Sequence, residues 1–292
     1  MKRMILAVPV LLAILAITPV FAQEPPPTLP PPELDRLVSR IALYPDPLLA
    51  QILAAATYPN DIPDAARWAD QHHYLTGDAL ASAIRGDQLP WDPSVQALLP
   101  FPSVLDMMAS DMNWTTQLGN AFLAQQQDVM DAVQRMRRAA AEYGYLRSNG
   151  SVVVSTGPYI AITPVNPGLI YVPYYDPAVV FYAPRPGFFV GGAIRFGYGI
   201  NIGVAFRPWG WGYNRFDWGG RVAFINNAPW RRTWVDRGHY VHPYEVHRFE
   251  GARPAERHEV HERSERERSA AREGRARVEE HRGGHERERE HH

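Results

Sequence analysis

Between Ile162 and Phe181 the chain carries prolines at 164, 167, 173 and 177. Proline fixes φ and has no amide to donate, so no helix interior can run through any of these positions. The residue before each proline is pushed towards extended geometry. Strand formers fill the gaps: Leu169, Ile170, Tyr171 and Val172, then Val179, Val180 and Phe181. Asn166-Pro167-Gly168 reads as a tight turn and Asp176-Pro177 as the start of a second. Short strands are therefore expected on both sides of Asn166-Pro167-Gly168, forming a hairpin with Val152 to Thr163. Prolines at strand ends mark these as edge strands.

The sequence before this stretch is helical in pattern. Leu34, Leu37, Val38 and Ile41 recur at helical spacing, Tyr44-Pro-Asp-Pro stops that run, and Pro47 opens Leu48 to Ala56. Further helices are predicted from Asp61-Ile-Pro63 to Trp68, over Asp78 to Arg85, after Asp92-Pro93 and after Pro102. The longest is predicted from Thr115 to Tyr143, ending at Gly144, with Phe122, Val129, Val133, Met136, Ala140 and Tyr143 as its stripe. That stripe is short and interrupted at Gln126, which favours packing within the chain over a self-associating coiled coil.

After the proline-rich stretch, glycines alternate with Phe188, Phe189, Phe196, Tyr198, Phe206, Trp209, Trp211, Tyr213, Phe216 and Trp218. Gly197 and Gly199 suggest a bend or bulge between short strands there. Residues 251–292 hold eleven arginines and eleven glutamates and almost nothing to bury, so disorder with transient helix is expected. The expected fold is α+β. An N-terminal all-helical bundle is followed by a small proline-punctuated antiparallel β-sheet, then a Gly/aromatic-rich irregular segment and a disordered charged tail.

Residues 1–22 combine Lys2 and Arg3, an apolar run from Met4 to Ile17, and Val20-Phe21-Ala22, the pattern of a cleaved secretory signal. The expected organisation is a signal over 1–22, a proline-rich linker over 23–32, and a helical plus small-sheet domain over 33–182. A Gly/aromatic-rich region over 183–250 and the Arg/Glu/His tail over 251–292 complete it. Export places the protein in the periplasm or outside the cell, with no transmembrane span once the signal is removed. The chain has no cysteine, which excludes disulfides, thiolate metal sites and a cysteine nucleophile.

The run from Pro164 to Pro177 (PVNPGLIYVPYYDP) resembles the signature of a bacterial exported family, Domain of Unknown Function 3300. The segment from Ile41 to Pro59 (IALYPDPLLAQILAAATYP) resembles that family's opening segment. The resemblance covers roughly Leu34 to Tyr182, and it implies an exported protein and no catalysis.

No cofactor is expected, because phosphate-loop, dinucleotide, Gly-x-Ser-x-Gly and His-Glu-x-x-His patterns are all absent. His239, His242 and His247, with the tail's His258, His261, His281, His285, His291 and His292, offer at most a loose divalent-metal site, so no metal centre is assigned. His72-His73 is read as a structural helix end. Asp46, Asp61, Asp64 and Asp176 beside prolines are read as caps and turns, and a hydrolytic carboxylate pair in the helical domain is the alternative. Trp230-Arg231-Arg232-Thr233-Trp234 suits nucleic acid, but export argues against that partner. The expectation is a non-enzymatic cell-envelope module that meets an envelope polymer or protein through Tyr171, Tyr174, Tyr175, Trp209, Trp211 and Trp218; the alternative is that the rings of the Gly/aromatic region fold back over a small sheet or stay partly disordered.

Overall fold

The computed structural model describes residues 28–184, 187 and 190–237. The signal, residues 23–27 of the linker, Phe188, Phe189, His239, His242, His247 and the charged tail lie outside them. Helices come first, in the order α1 (Pro31–Val38), α2 (Asp46–Ala56), α3 (Ile62–Gln71), α4 (Gly77–Gly86), α5 (Pro93–Gln96), α6 (Pro102–Ser110), α7 (Met112–Ala124) and α8 (Gln126–Glu142). A proline stands in the first turn of α1, α2, α3, α5 and α6. Its missing amide is no loss there, because a first helical turn has no internal partner for it.

Helix α2 is the axis of the core. Leu48, Leu49, Ile52, Leu53 and the three alanines Ala54, Ala55 and Ala56 are all 0% exposed. A helix apolar on every side must be surrounded, and α2 is packed by α5 and α7 as well as by later strands. Small residues set the spacing to α7. A Cβ built at Gly119 would lie only 2.0 Å from the Ala56 carbonyl oxygen.

The long helix expected over Thr115 to Tyr143 is two helices, broken at Gln125 (φ −145°, ψ 51°). The Gln125 side chain accepts from the Leu29 amide at 2.7 Å and donates to the Leu29 carbonyl at 3.1 Å. The break lets α7 lie on α2 while α8 turns to cover α1, which one straight rod could not do. Gly144 ends α8 as expected, at φ +77°. The Gly144 amide donates to the Ala141 carbonyl and the Tyr145 amide to the Ala140 carbonyl, the paired bonds of a left-handed helix stop.

Short antiparallel sheets follow. β1 (Val152–Val154) pairs with β2 (Ile162–Pro164), so this stretch closes on itself, and the hairpin expected across Asn166-Pro167-Gly168 is corrected. The α+β order is as expected, and the small antiparallel β part is divided into several separate sheets. β3 (Leu169–Ile170) and β4 (Pro173–Tyr174) find partners far along the chain, β4 in β5 (Arg195–Phe196) and β3 in β6 (Ile200–Asn201). Then β7 (Arg215–Asp217), β8 (Val222–Ile225) and β9 (Ala228–Pro229) form a meander. Each proline deletes a ladder donor, so no strand here grows long enough to join its neighbours in one sheet. The strand formers Val179 and Val180 instead lie in one helical turn, α9 (Pro177–Val180), where Asp176 Oδ1 accepts from the Ala178 amide at 2.8 Å.

Strand pairing thus crosses residue 182, the boundary that composition suggested. The β8–β9 connection turns on Asn226 and Asn227, both at positive φ (50° and 60°). Asparagine tolerates that region better than other side chains, and two such residues suit the tight hairpin turn. Among the described residues no helix is long and apolar enough to cross a membrane.

Candidate functional site

The six aromatics expected to form one surface do not. Trp209, Trp211 and Trp218 are buried, which corrects the surface reading for these three. Each indole instead hydrogen-bonds to the helical body. Trp209 Nε1 donates to Gln96 Oε1 at 2.8 Å, Trp211 Nε1 to the Ala97 carbonyl at 3.0 Å, and Trp218 Nε1 to Asp46 Oδ2 at 3.0 Å. Burial of a large ring with its one polar atom satisfied is worth more than leaving it in water. Tyr175 is half-buried. Its hydroxyl donates to the Ser39 carbonyl at 2.8 Å, and burial raises its pKa well above the usual phenol value. Tyr171 and Tyr174 cover glycines: their rings lie 3.0 Å and 3.2 Å from the Cβ positions of Gly199 and Gly197. Of the six, Tyr174 is the one classed as exposed.

Asp46 was read as a cap, but it belongs to a buried ion pair. Arg137 Nη1 donates to Asp46 Oδ1 at 2.6 Å with both side chains enclosed. The same guanidinium donates to the carbonyls of Ala42 (2.8 Å), Ile160 (2.8 Å) and Tyr44 (2.9 Å), and it lies 4.9 Å from the Trp218 ring centre. Four parts of the chain meet there: the α1–α2 turn, α8, the β1–β2 hairpin and the residue after β7. With four of its five donors engaged and dry surroundings, this guanidinium is a structural clamp, without access for a substrate.

A cleft of about 460 Å³ opens between the helical body and the last meander. Gln51 of α2 and Asp92, Pro93 and Ser94 at the start of α5 form one wall. Trp209, Ile225, Asn226 and the segment Ala228 to Arg232, with Asp236, form the other. Two acids and two arginines line it, so its formal charge is balanced. Gln51 is wholly buried; its Nε2 donates to the Trp209 carbonyl at 2.9 Å, and its Oε1 has no partner. Trp230 Nε1 likewise has no acceptor, while its ring packs on Phe122 at 5.6 Å and under the Arg232 guanidinium at 5.1 Å. Asp92 Oδ1 accepts from the Ser94 amide (2.9 Å) and hydroxyl (2.6 Å), and its Oδ2 meets Arg232 Nη1 at 3.2 Å. Burial raises the Asp92 carboxyl above the usual range, and the two Ser94 bonds oppose that rise. Among the described residues no group of three or more His, Asp or Glu is placed to hold a metal ion.

Sequence reasoning marked Asp92 only as a helix start and residues 230–234 only as a nucleic-acid motif. The one signal the sequence holds for Gln51 is that it is a lone polar residue within Leu48 to Ala56.

The chain is 35% identical over 219 residues to the uncharacterized protein YacH of Escherichia coli (strain K12). That alignment takes in 59% of this chain and 35% of the relative, so the chain spans about a third of the curated relative's length. No solved structure matches. Residues 31–241 match the family described as protein of unknown function DUF3300, further along the chain than the two motifs reach and across both walls of the cleft. With that match over most of its length, the chain belongs to the DUF3300 family.

Proposed function

We propose that this is an exported, non-enzymatic interaction module of the cell envelope, periplasmic or secreted, which takes its partner in the Gln51–Trp230 cleft. The observation that carries the reading is the pair of unpartnered polar atoms there, Gln51 Oε1 and Trp230 Nε1. A buried polar atom without a hydrogen bond costs about 1–3 kcal/mol, so a cleft lined by two residues that each keep one gains when a ligand completes them. The N-terminal pattern of residues 1–22 supports export. In the binding reading, the Asp92 carboxylate holds Ser94 and Arg232 in place.

The test is limited proteolysis of the mature chain with and without isolated envelope fractions, read by intact mass. Envelope should protect bonds within residues 225–236, and Gln51→Met should abolish the protection. Equal cleavage with and without envelope would overturn the proposal. The raised Asp92 carboxyl favours a second reading, an envelope hydrolase with Asp92 as general acid and Asp236 as its companion across the cleft. That reading requires the wild-type protein to release soluble fragments from envelope fractions and Asp92→Asn to release none.

A further inference from the structure

We infer that the cleft accepts an uncharged, hydroxyl-rich ligand, a sugar ring within an oligosaccharide; this rests on the reading of the cleft as the ligand seat. The unsatisfied atoms differ in kind. Gln51 Oε1 can only accept and Trp230 Nε1 can only donate. A hydroxyl does both, so a hydroxyl-rich ligand can satisfy either atom, whereas a carboxylate brings no donor for Gln51 Oε1. The charged groups of the walls are balanced, and Asp92 is engaged by Arg232 at 3.2 Å, so the site offers no net field to an ion.

An extended peptide fits less well. Peptides add to sheet edges through backbone bonds. The β9 wall contains Pro229, which has no amide, and the Trp230 amide already donates to the Ala223 carbonyl at 2.7 Å.

The experiment titrates the mature chain with neutral oligosaccharides (maltoheptaose, cellohexaose and chitohexaose), with polygalacturonate as the anionic counterpart, with an unstructured peptide and with envelope fractions. Binding is read by calorimetry and by the indole N–H resonances. At least one neutral oligosaccharide should bind with little sensitivity to salt and shift the Trp230 indole resonance. Trp230→Phe keeps a ring on Phe122 while deleting the N–H; it should weaken binding about three- to tenfold, the worth of one neutral hydrogen bond, with no fall in the unligated Tm. The indole resonance is assigned in the unsubstituted protein, so the result stands even if the variant folds poorly. Binding only to polygalacturonate or the peptide overturns the inference, as does sugar binding that leaves Trp230 unmoved. No sugar binding, alongside Gln51-dependent binding of envelope fractions, overturns the ligand class and leaves the cleft reading intact. Loss of both removes both.

Discussion

Arg137 has every residue of the Asp46 clamp depending on its charge. Replacing it with methionine keeps much of the volume but leaves the Asp46 carboxylate buried without its counter-charge and takes a donor from the carbonyls of Ala42, Tyr44 and Ile160, of which Ile160 keeps Gln134 Nε2. The expected loss is about 3–5 kcal/mol, measured by urea unfolding. Asp92 gives a pH-dependent prediction of definite sign. Burial raises its carboxyl in the folded state above the ordinary 3.8, so the folded protein holds that proton more tightly than the unfolded chain does. This group therefore favours folding most below the ordinary value, and its contribution falls as pH rises from there through the raised folded value. Asp92→Asn keeps a capping side chain and removes the titration. The stability of the variant minus that of the wild type should increase across that window and stay level above it, measured by thermal unfolding in a pH series. Asp92 was legible as a helix start, but the pairing of Arg137 with Asp46 was not readable from the neighbours of either. Asp46 lies between two prolines, where a cap is the reasonable reading, and its partner is 91 positions away.

At the scale of elements, the α2–α7 contact is set by glycine. Gly119→Ala places a methyl group against the Ala56 carbonyl, a backbone atom that cannot swing aside, so the two helices must separate. A loss of about 1–3 kcal/mol is expected, towards the upper end, read as a fall in urea midpoint with unchanged slope. Helix starts were legible in the sequence because proline acts within its own turn, and the stop at Gly144 was legible for the same reason. The break at Gln125 was not, because the group that holds it is Leu29, 96 residues earlier. Strand pairing divides the same way. The strands of the local β1–β2 hairpin were legible although their pairing was not, whereas β3 with β6 and β4 with β5 join strands separated by α9 and the glycine-rich turns.

For the whole molecule, the helical body and the Gly/aromatic region form one packed unit. A chain ended after Tyr182 loses Trp209, Trp211 and Trp218 and uncovers Asp46, Gln51 and the Ala97 carbonyl that they close over. Such a chain should lack a cooperative thermal transition and lose most near-ultraviolet circular dichroism, while one ended after Arg237 should keep both. An equally cooperative short fragment would show that the aromatic region is an appendage. By itself the sequence determined the order of helices before strands, the proline-opened helix starts and the shortness of the strands, since backbone geometry and hydrophobic period act over a few residues. Only the tertiary structure decided which aromatic rings are buried, that Arg137 meets Asp46, and that Gln51 and Trp230 share a cleft. Burial and charge pairing depend on what long-range packing lays over a side chain, and no local pattern carries that information.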